Sequence, residues 1–225
     1  YLISAVAGHS VYTVLTTYPE QGSGNVGDKL ITESAKRIIE DVKGPSEFHT
    51  FFREDDMSEH LDVINSSDAV LMPGFAIREP IYPDTYALVE NLDEIDSPLV
   101  PIGAGWKSFP GDLRDVHGHM YSSDTVDFLQ YISNQIDDFA VREYFTQKVL
   151  HRHGIDNTLM VGDCAWYEPD RIGEELKSPS SVDDLVFTTP HADRYFEQAC
   201  DALRMLSNTF PKANRYCSFH GRIKE

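Results

Sequence analysis

The sequence predicts an α/β protein built on a mostly parallel, doubly wound sheet. Short apolar segments rich in β-branched and aromatic residues alternate with segments of helical periodicity along most of the chain. Turns that contain glycine, proline and acidic residues separate them. A helix that connects two neighbouring strands makes those strands parallel, and alternating helices can cover both faces of the sheet.

The strand candidates share a short core of β-branched, aromatic and other apolar residues. The first, Val11–Thr17, has the sequence VYTVLTT and is expected to be buried on both faces. The others are Phe48–Phe52, Ala69–Met72, Leu99–Gly103, Asp138–Arg142, Thr158–Val161, Leu185–Thr188 and Arg215–Phe219.

The helix candidates have apolar residues at spacings of three and four, which places these residues on one helical face. Ser123 or Asp124 is expected to cap the fourth helix, and Gly154 to follow the fifth as its C′ residue. The predicted helices are Lys29–Val42, Ser58–Asn65, Asp84–Leu92, Asp124–Ile136, Tyr144–His153 and Asp193–Asn208.

A change in composition marks the predicted domain boundary. The segment EPDRIGEELKSPSSVDD is polar and contains prolines and serines, which is typical of a linker. We therefore predict a Rossmann-like domain at residues 1–170 and a linker at residues 171–184. Residues 185–225 form one strand-helix-strand repeat, which we expect to be the incomplete beginning of a second α/β domain.

Charge and cysteine content exclude some classes of protein. The net charge of −18, from 37 acidic and 19 basic residues, argues against a general nucleic-acid binder, which needs a basic surface. The three cysteines are scattered, as expected in a reducing compartment. No apolar run reaches the length of a membrane span, so we expect no stable membrane insertion. We predict a cytoplasmic protein, with peripheral association at the inner membrane left open.

A glycine-rich loop, QGSGNVGDK, lies between the first strand and the first helix. Gly22, Gly24 and Gly27 allow the backbone to approach a ligand closely, and the N–H groups of the following helix favour an anion. Asp28 can also cap these N–H groups itself. The spacing lacks the Walker lysine and the standard dinucleotide pattern. The loop is therefore a phosphate cradle, an acceptor pocket or a tight turn capped by Asp28.

Four further loops are predicted at the carboxyl edge of the sheet, where ligands bind in parallel α/β proteins. They contain Gly74, then Gly105 and Trp106, then Arg142 and Glu143, and then Gly162 and Asp163. Because Asn25, Asp28 and Arg142 each follow a strand that ends at this edge, we predict that they converge on one cleft. The guanidinium of Arg142 matches carboxylate and phosphate oxygens. The alternative for Arg142 is an ion pair with a neighbouring acidic residue.

Other candidates support less specific roles. The histidine pairs in DVHGHM and LHRHG lack a third ligand at a diagnostic spacing, so we expect no metal and a solvated or capping role for His151 and His153. His220 follows the last strand and is better placed for chemistry. Cys164 is either a nucleophile or a core residue, and Trp106 and Trp166 either stack on a sugar or cover the core.

Taken in order, five segments resemble the polysaccharide pyruvyl transferase family: GNVGDKLITESAKRII, SDAVLMPGFAIRE, PIGAGWKSFPG, AVREYFTQKVLHRHGI and LMVGDCAW. The resemblance covers about residues 11–167. It implies a two-domain, glycosyltransferase-B-like architecture. It also implies transfer of pyruvyl from phosphoenolpyruvate to hydroxyls of a sugar, as a cyclic ketal on a cell-surface glycan or exopolysaccharide.

The resemblance also implies roles for individual residues. The loop matches the family's Asn-x-Gly-Asp pattern, and Arg142 matches an arginine that is a candidate for gripping phosphoenolpyruvate. His220 precedes Arg222, the reverse of the family's Arg-x-His motif. Phosphoenolpyruvate is the donor substrate, and no cofactor is expected. The predicted catalytic residues are Arg142 and His220, and the predicted substrate-binding residues are Gly24, Asn25, Gly27, Asp28, Gly74, Gly105, Trp106 and Asp163.

Two other functions stay open from the sequence. One is a non-catalytic glycan-binding or regulatory module of the same fold, and the other is a nucleotide-sugar glycosyltransferase. The sequence does not distinguish acceptor sugars or linkages, and it leaves a homo-oligomer open.

Overall fold

A computed structural model of the chain describes residues 10–18, 26–106, 117–175, 178–190 and 195–219. The chain is a mixed α/β protein and comprises two compact units, residues 1–172 and residues 173–225. Every strand pairing among the described residues is parallel, as the sequence predicts.

The described residues form ten strands and five α-helices. The strands are β1 (Ser10–Thr16), β2 (Ser46–Phe52), β3 (Ala69–Pro73), β4 (Ala76–Ile77), β5 (Leu99–Ile102), β6 (Gly105–Trp106), β7 (Phe139–Val141), β8 (Thr158–Met160), β9 (Asp184–Thr189) and β10 (Asn214–Phe219). The helices are α1 (Val26–Lys43), α2 (Leu61–Ser66), α3 (Ser123–Ser133), α4 (Tyr144–Arg152) and α5 (Phe196–Thr209). Within the described ranges, none of these helices is both long and apolar enough to cross a membrane.

The main sheet of the first unit has the strand order β2-β1-β3-β5. An isolated parallel bridge between Ala104 and Val141 continues it to β7, which pairs with β8. The Arg142 N–H donates to the Ala104 carbonyl at 2.9 Å and fixes the end of β7 beside the end of β5. Because these strands are parallel, their carboxyl ends lie along one edge.

Two glycines change the direction of adjacent strands near this edge. Gly74 follows β3 with φ of 63°, and Gly103 follows β5 with φ of 66°, a left-handed conformation that favours glycine. The Gly74 N–H donates to the Ile102 carbonyl, and the Gly105 N–H donates to the Phe75 carbonyl. Beyond these turns the pair therefore continues as β4 and β6.

Alternate residues of the central strands divide between two apolar clusters. On β3, Leu71 joins one cluster, to which Ile39 of α1 also packs. Its neighbour Met72 joins the larger cluster, which contains Ile64 of α2 and Leu129 of α3. Successive side chains of a strand point to opposite faces, so both faces of the central strands are covered by apolar side chains.

Buried polar side chains join helices to strands through hydrogen bonds. The hydroxyl groups of Thr16 on β1 and Thr32 on α1 lie 2.6 Å apart, and Thr32 also donates to the Asp28 carbonyl at 2.8 Å. On the same strand, the hydroxyl of Thr13 lies 2.9 Å from that of Ser67. These contacts satisfy groups whose burial without partners is costly.

The predicted helix at Asp84–Leu92 is wrong. Pro80 and Pro83 lie just before this segment. Its backbone groups form hydrogen bonds with the segment that follows β2 and not with each other, as a helix would require. The Ala87 N–H donates to the Arg53 carbonyl at 3.0 Å, and the Leu88 carbonyl accepts from the Met57 N–H at 2.7 Å. Leu88 has φ of 46°, which no right-handed helix contains.

The ends of two other helices test the predicted caps. The cap of α3 is Ser122, not Ser123 or Asp124, because its hydroxyl accepts the Thr125 N–H at 3.4 Å. After α4, Gly154 has φ of 76°, which confirms it as the residue that ends this helix.

The second unit has less buried surface. Its strands β9 and β10 pair in parallel, and α5, which connects them, has no fully buried residue. Val186 and Tyr216, which lie opposite each other in the register, are exposed, as is Phe196. The sequence predicts this strand-helix-strand order, and the described residues of the unit confirm it.

Replacing Leu99 by alanine is expected to destabilise the first unit by about 2–5 kcal/mol, because Leu99 is fully buried in the large cluster. Leu159→Ala is the matched control: Leu159 also lies on a strand, but half of it is exposed. Urea denaturation of both variants measures the difference. Equal losses would contradict the assignment of Leu99 to the core.

Candidate active site

Arg142 lies at the carboxyl edge, directly after β7. Its Nε donates to Glu143 Oε2 at 2.9 Å, and its Nη1 lies 3.7 Å from Asp163 Oδ2. The side chain is 39% exposed, so it is held by carboxylates and also reaches solvent. The ion pair expected as the alternative from sequence is therefore present, and it fixes the guanidinium in place.

Gly105 provides the space that the Arg142 side chain occupies. A β-carbon at position 105 would overlap Nε and Cζ of Arg142 and would lie 2.6 Å from Nη2. The guanidinium thus packs directly on the backbone of β6, and only glycine allows this approach.

Glu143 connects this arginine to the neighbouring strand. Its Oε1 accepts the backbone N–H of Trp106 at 2.9 Å and the hydroxyl of Thr146. Glu143 occupies the N-cap position of α4, but its side chain makes no capping hydrogen bond to that helix. Its carboxylate bonds to the β6 backbone and to Arg142 instead.

Asp163 and Cys164 follow β8 and close the other side of Arg142. Asp163 Oδ1 accepts the Ala165 N–H at 3.0 Å and so caps a short 3-10 turn. The Cys164 thiol donates to the Ile31 carbonyl of α1 at 3.4 Å. Burial, assisted by Asp163, raises the pKa of Cys164 to about 12. Cys164 is therefore a buried packing residue and not a thiolate nucleophile.

The first helix reaches the same edge through Ile31. A β-carbon at Gly74 would lie 3.1 Å from Cγ2 of Ile31, so α1 packs closely on the turn after β3. Gly27 and Asp28 lie in the first turn of α1, one helical turn before Ile31. The shared cleft predicted for Asn25, Asp28 and Arg142 stays a prediction.

The structure thus brings four of the predicted residues into one network, which consists of Gly105, Trp106, Arg142 and Asp163. Gly74 lies beside this network, because it packs against Ile31 of α1, whose carbonyl accepts the Cys164 thiol. Gly24, Asn25 and His220 lie outside the described residues, so their predicted roles stay predictions.

A row of four rings begins at Trp106. The ring centroids of Trp106 and His119 are 5.3 Å apart, those of His119 and Tyr121 are 4.7 Å apart, and those of Tyr121 and His153 are 5.4 Å apart. His153 Nε2 accepts the Tyr121 backbone N–H at 3.1 Å. His153 therefore has its proton on Nδ1 when it is neutral.

The electrostatic surroundings keep Tyr121 and His153 uncharged. Burial lowers the pKa of His153, and the neighbouring His119 imidazole and Arg152 guanidinium lower it further. Burial also raises the pKa of Tyr121, as do the carboxylates of Glu79 and Glu143. In the described parts of the chain, no three His, Cys, Asp or Glu side chains are grouped closely enough to hold a metal ion.

The sequence did not identify all the residues of this network. Glu143, Thr146 and Tyr121 were not among the predicted site residues. Glu143 directly follows Arg142 in the sequence, so the ion pair that the sequence offers as the alternative for Arg142 was a usable signal for this residue. Tyr121 gave no signal, because its neighbours Trp106 and His153 are distant in sequence.

A parallel α/β unit with charged groups gathered beyond its strand ends is the usual arrangement of an α/β enzyme. A family model described as polysaccharide pyruvyl transferase matches residues 25–221, most of the 225-residue chain. The chain belongs to this family and is therefore a transferase. The family indicates pyruvyl transfer with a sugar or polysaccharide as acceptor. No curated protein and no solved structure matches the chain.

Gly105→Ala is expected to separate folding from ligand binding. The new methyl group displaces the flexible end of Arg142 and not the backbone, so the melting temperature should change little. Anion binding at Arg142 should weaken about tenfold or more, because the guanidinium loses its fixed position. Thermal melting and calorimetric titration with phosphoenolpyruvate measure the two effects. A large loss of melting temperature with unchanged affinity would contradict the role assigned to Gly105.

The neutral state of His153 is expected to make stability depend on pH. Because the folded pKa is lowered, the unfolded chain takes up the proton first as the pH falls. The stabilisation is complete above the ordinary pKa of 6.5 and declines as the pH falls from there to the folded pKa. We expect the melting temperature to fall less in His153→Gln than in the wild type between about pH 7.5 and about pH 5.5. His151→Gln is the control, and an equal fall in all three proteins would refute the assignment.

Proposed function

We propose that the chain transfers pyruvyl from phosphoenolpyruvate to two hydroxyls of a sugar, which forms a cyclic ketal on a cell-surface glycan or exopolysaccharide. Family membership supports pyruvyl transfer. The observation that carries the choice of donor is the fixed, half-exposed Arg142 at the carboxyl edge. Phosphoenolpyruvate has a carboxylate and a phosphate, and a guanidinium fork matches both groups.

The proposed reaction proceeds by protonation of the donor. A proton adds to the methylene carbon C3 and leaves an oxocarbenium-like centre at C2. A sugar hydroxyl oxygen bonds to C2 and loses its proton. A second hydroxyl oxygen then bonds to C2 and loses its proton, while the bond between C2 and the phosphate oxygen breaks. The products are the ketal and inorganic phosphate. These steps involve no net oxidation or reduction, so they require no redox cofactor.

The chain's own residues have distinct proposed roles. Arg142 holds the anionic donor, and Glu143 and Asp163 hold Arg142. Our candidate for the general acid is His220, on the basis of the sequence prediction. The proposed substrate-binding residues are Gly24, Asn25, Gly27, Asp28, Gly74, Gly105, Trp106 and Asp163.

The proposed architecture is a doubly wound, glycosyltransferase-B-like one. Apolar clusters on both faces of the central strands support the doubly wound arrangement. We assign residues 1–170 to the acceptor side, residues 171–184 to a linker and residues 185–225 to the second α/β domain. The free state of Cys164, Cys200 and Cys217 supports a reducing, cytoplasmic location.

Arg142→Gln and Arg142→Lys test the donor. Loss of the fork should weaken phosphoenolpyruvate binding about tenfold to a hundredfold in both variants, since lysine keeps the charge but not the paired donors. Arg37→Lys is the matched control, because Arg37 is similarly exposed and also lies near two carboxylates, Glu168 and Asp170. Calorimetric titration measures binding, and phosphate release with methyl glycosides as acceptors measures transfer. Unchanged affinity in Arg142→Gln would exclude Arg142 as the donor-binding residue.

A further inference from the structure

Two buried hydrogen-bond donors lie near the Arg142 network. The indole Nε1 of Trp106 and the hydroxyl of Tyr121 have no hydrogen-bond partner among the described residues. Tyr121 is only 7% exposed. A buried donor without an acceptor is costly, and buried tyrosine and tryptophan usually have a partner. The two donors therefore favour a ligand that supplies acceptor oxygens.

The groups around these donors favour a ligand without charge. Glu79 Oε1 accepts the Ser122 N–H, next to Tyr121 in the chain, and Glu143 bonds to the Trp106 backbone. Burial raises the pKa of Tyr121 and both carboxylates raise it further, so its hydroxyl keeps its proton at neutral pH and can act as a donor. Their negative charge also opposes a second anion here, whereas Arg142 attracts one.

Among neutral ligands, a sugar fits this aromatic surface best. The centroid of His119 lies 5.3 Å from that of Trp106 and 4.7 Å from that of Tyr121, so the three rings form a continuous aromatic group. Aromatic rings bury the apolar C–H groups of a sugar, while fixed polar groups orient its hydroxyls.

We propose that Trp106 and Tyr121 form the acceptor subsite, in which a neutral sugar accepts hydrogen bonds from the indole N–H and the phenol. The proposal rests on the proposed function, because it places an acceptor beside the donor anion held by Arg142. Glu143 links the two positions: Oε1 bonds to the Trp106 backbone and Oε2 bonds to Arg142. One carboxylate thus sets the position of the acceptor subsite relative to the donor.

The two tryptophans of the chain provide a direct assay. Trp166 is 88% exposed, so the Trp166→Phe variant leaves Trp106 as the one tryptophan emitter without changing the core. In this variant, methyl glucoside, methyl galactoside, methyl mannoside and methyl N-acetylglucosaminide are titrated with and without phosphoenolpyruvate. We expect at least one of them to change Trp106 emission in a saturable way. Methyl glucuronide, which adds a negative charge to methyl glucoside, should bind more weakly.

Tyr121→Phe in the same background tests the second donor. It removes only the hydroxyl, so the affinity for the glycoside should fall about five- to tenfold. The melting temperature should stay the same or rise, because an unpartnered buried group is removed. Tyr167→Phe is the matched control, since the Tyr167 hydroxyl bonds to the Val161 carbonyl elsewhere. Its glycoside affinity should not change.

The outcomes separate this proposal from the proposed donor. Absence of saturable binding by every neutral glycoside would overturn the acceptor subsite, and so would equal affinity in Tyr121→Phe and its background. Tighter binding of the glucuronide would overturn its neutral character. Phosphoenolpyruvate affinity, measured by calorimetry in the same variants, should not change in Tyr121→Phe. If no variant binds phosphoenolpyruvate but the glycoside still binds, the result would count against the proposed donor and not against this subsite.

Discussion

The rest of the site depends on the hydrogen bonds that the carboxylate of Glu143 accepts. This carboxylate accepts hydrogen bonds from the Trp106 backbone, the Thr146 hydroxyl and the Arg142 guanidinium, which belong to β6, α4 and the end of β7. A carboxylate has room for several donors, and bonds to a charged acceptor are stronger than neutral ones. The alignment of β7 with β5 makes the convergence possible, because it brings all three donors to the same edge.

Most of the fold could be predicted because its elements are marked by local patterns. The strands from β1 to β10 overlap the predicted segments and extend at most two residues beyond them. The exceptions are the two-residue strands β4 and β6, which are too short to have a period. The failure at Asp84–Leu92 has a different cause. Its apolar spacing resembles that of a helix, but its backbone bonds to Arg53 and Met57, which are far away in sequence. Thr32 is similar: its burial depends on the distant hydroxyl of Thr16.

The candidate site could be predicted only as far as its backbone placement. The ends of parallel strands identified Gly105, Trp106, Arg142 and Asp163. In the structure Gly105 and Asp163 lie against Arg142, and Glu143 links Trp106 to it. Tyr121 and the orientation of Glu143 were not predictable, since they follow from side-chain contacts between segments that are distant in sequence. The distinction is physical: strand order determines which residues reach the edge, whereas side-chain packing determines which of their atoms face each other.

The exposed second unit has a consequence for local opening. The β9–β10 pair has only two strands, and Val186 and Tyr216 on one face are open to solvent. Two-stranded sheets with little buried surface are marginally stable, and their backbone hydrogen bonds open more readily than those of a covered sheet. Amide hydrogens of β9 and β10 should therefore exchange with solvent deuterium well before those of β1 and β3, which are covered on both faces. Hydrogen exchange would then divide the chain into a slowly exchanging part and a rapidly exchanging part. A single free energy of unfolding would not describe both parts.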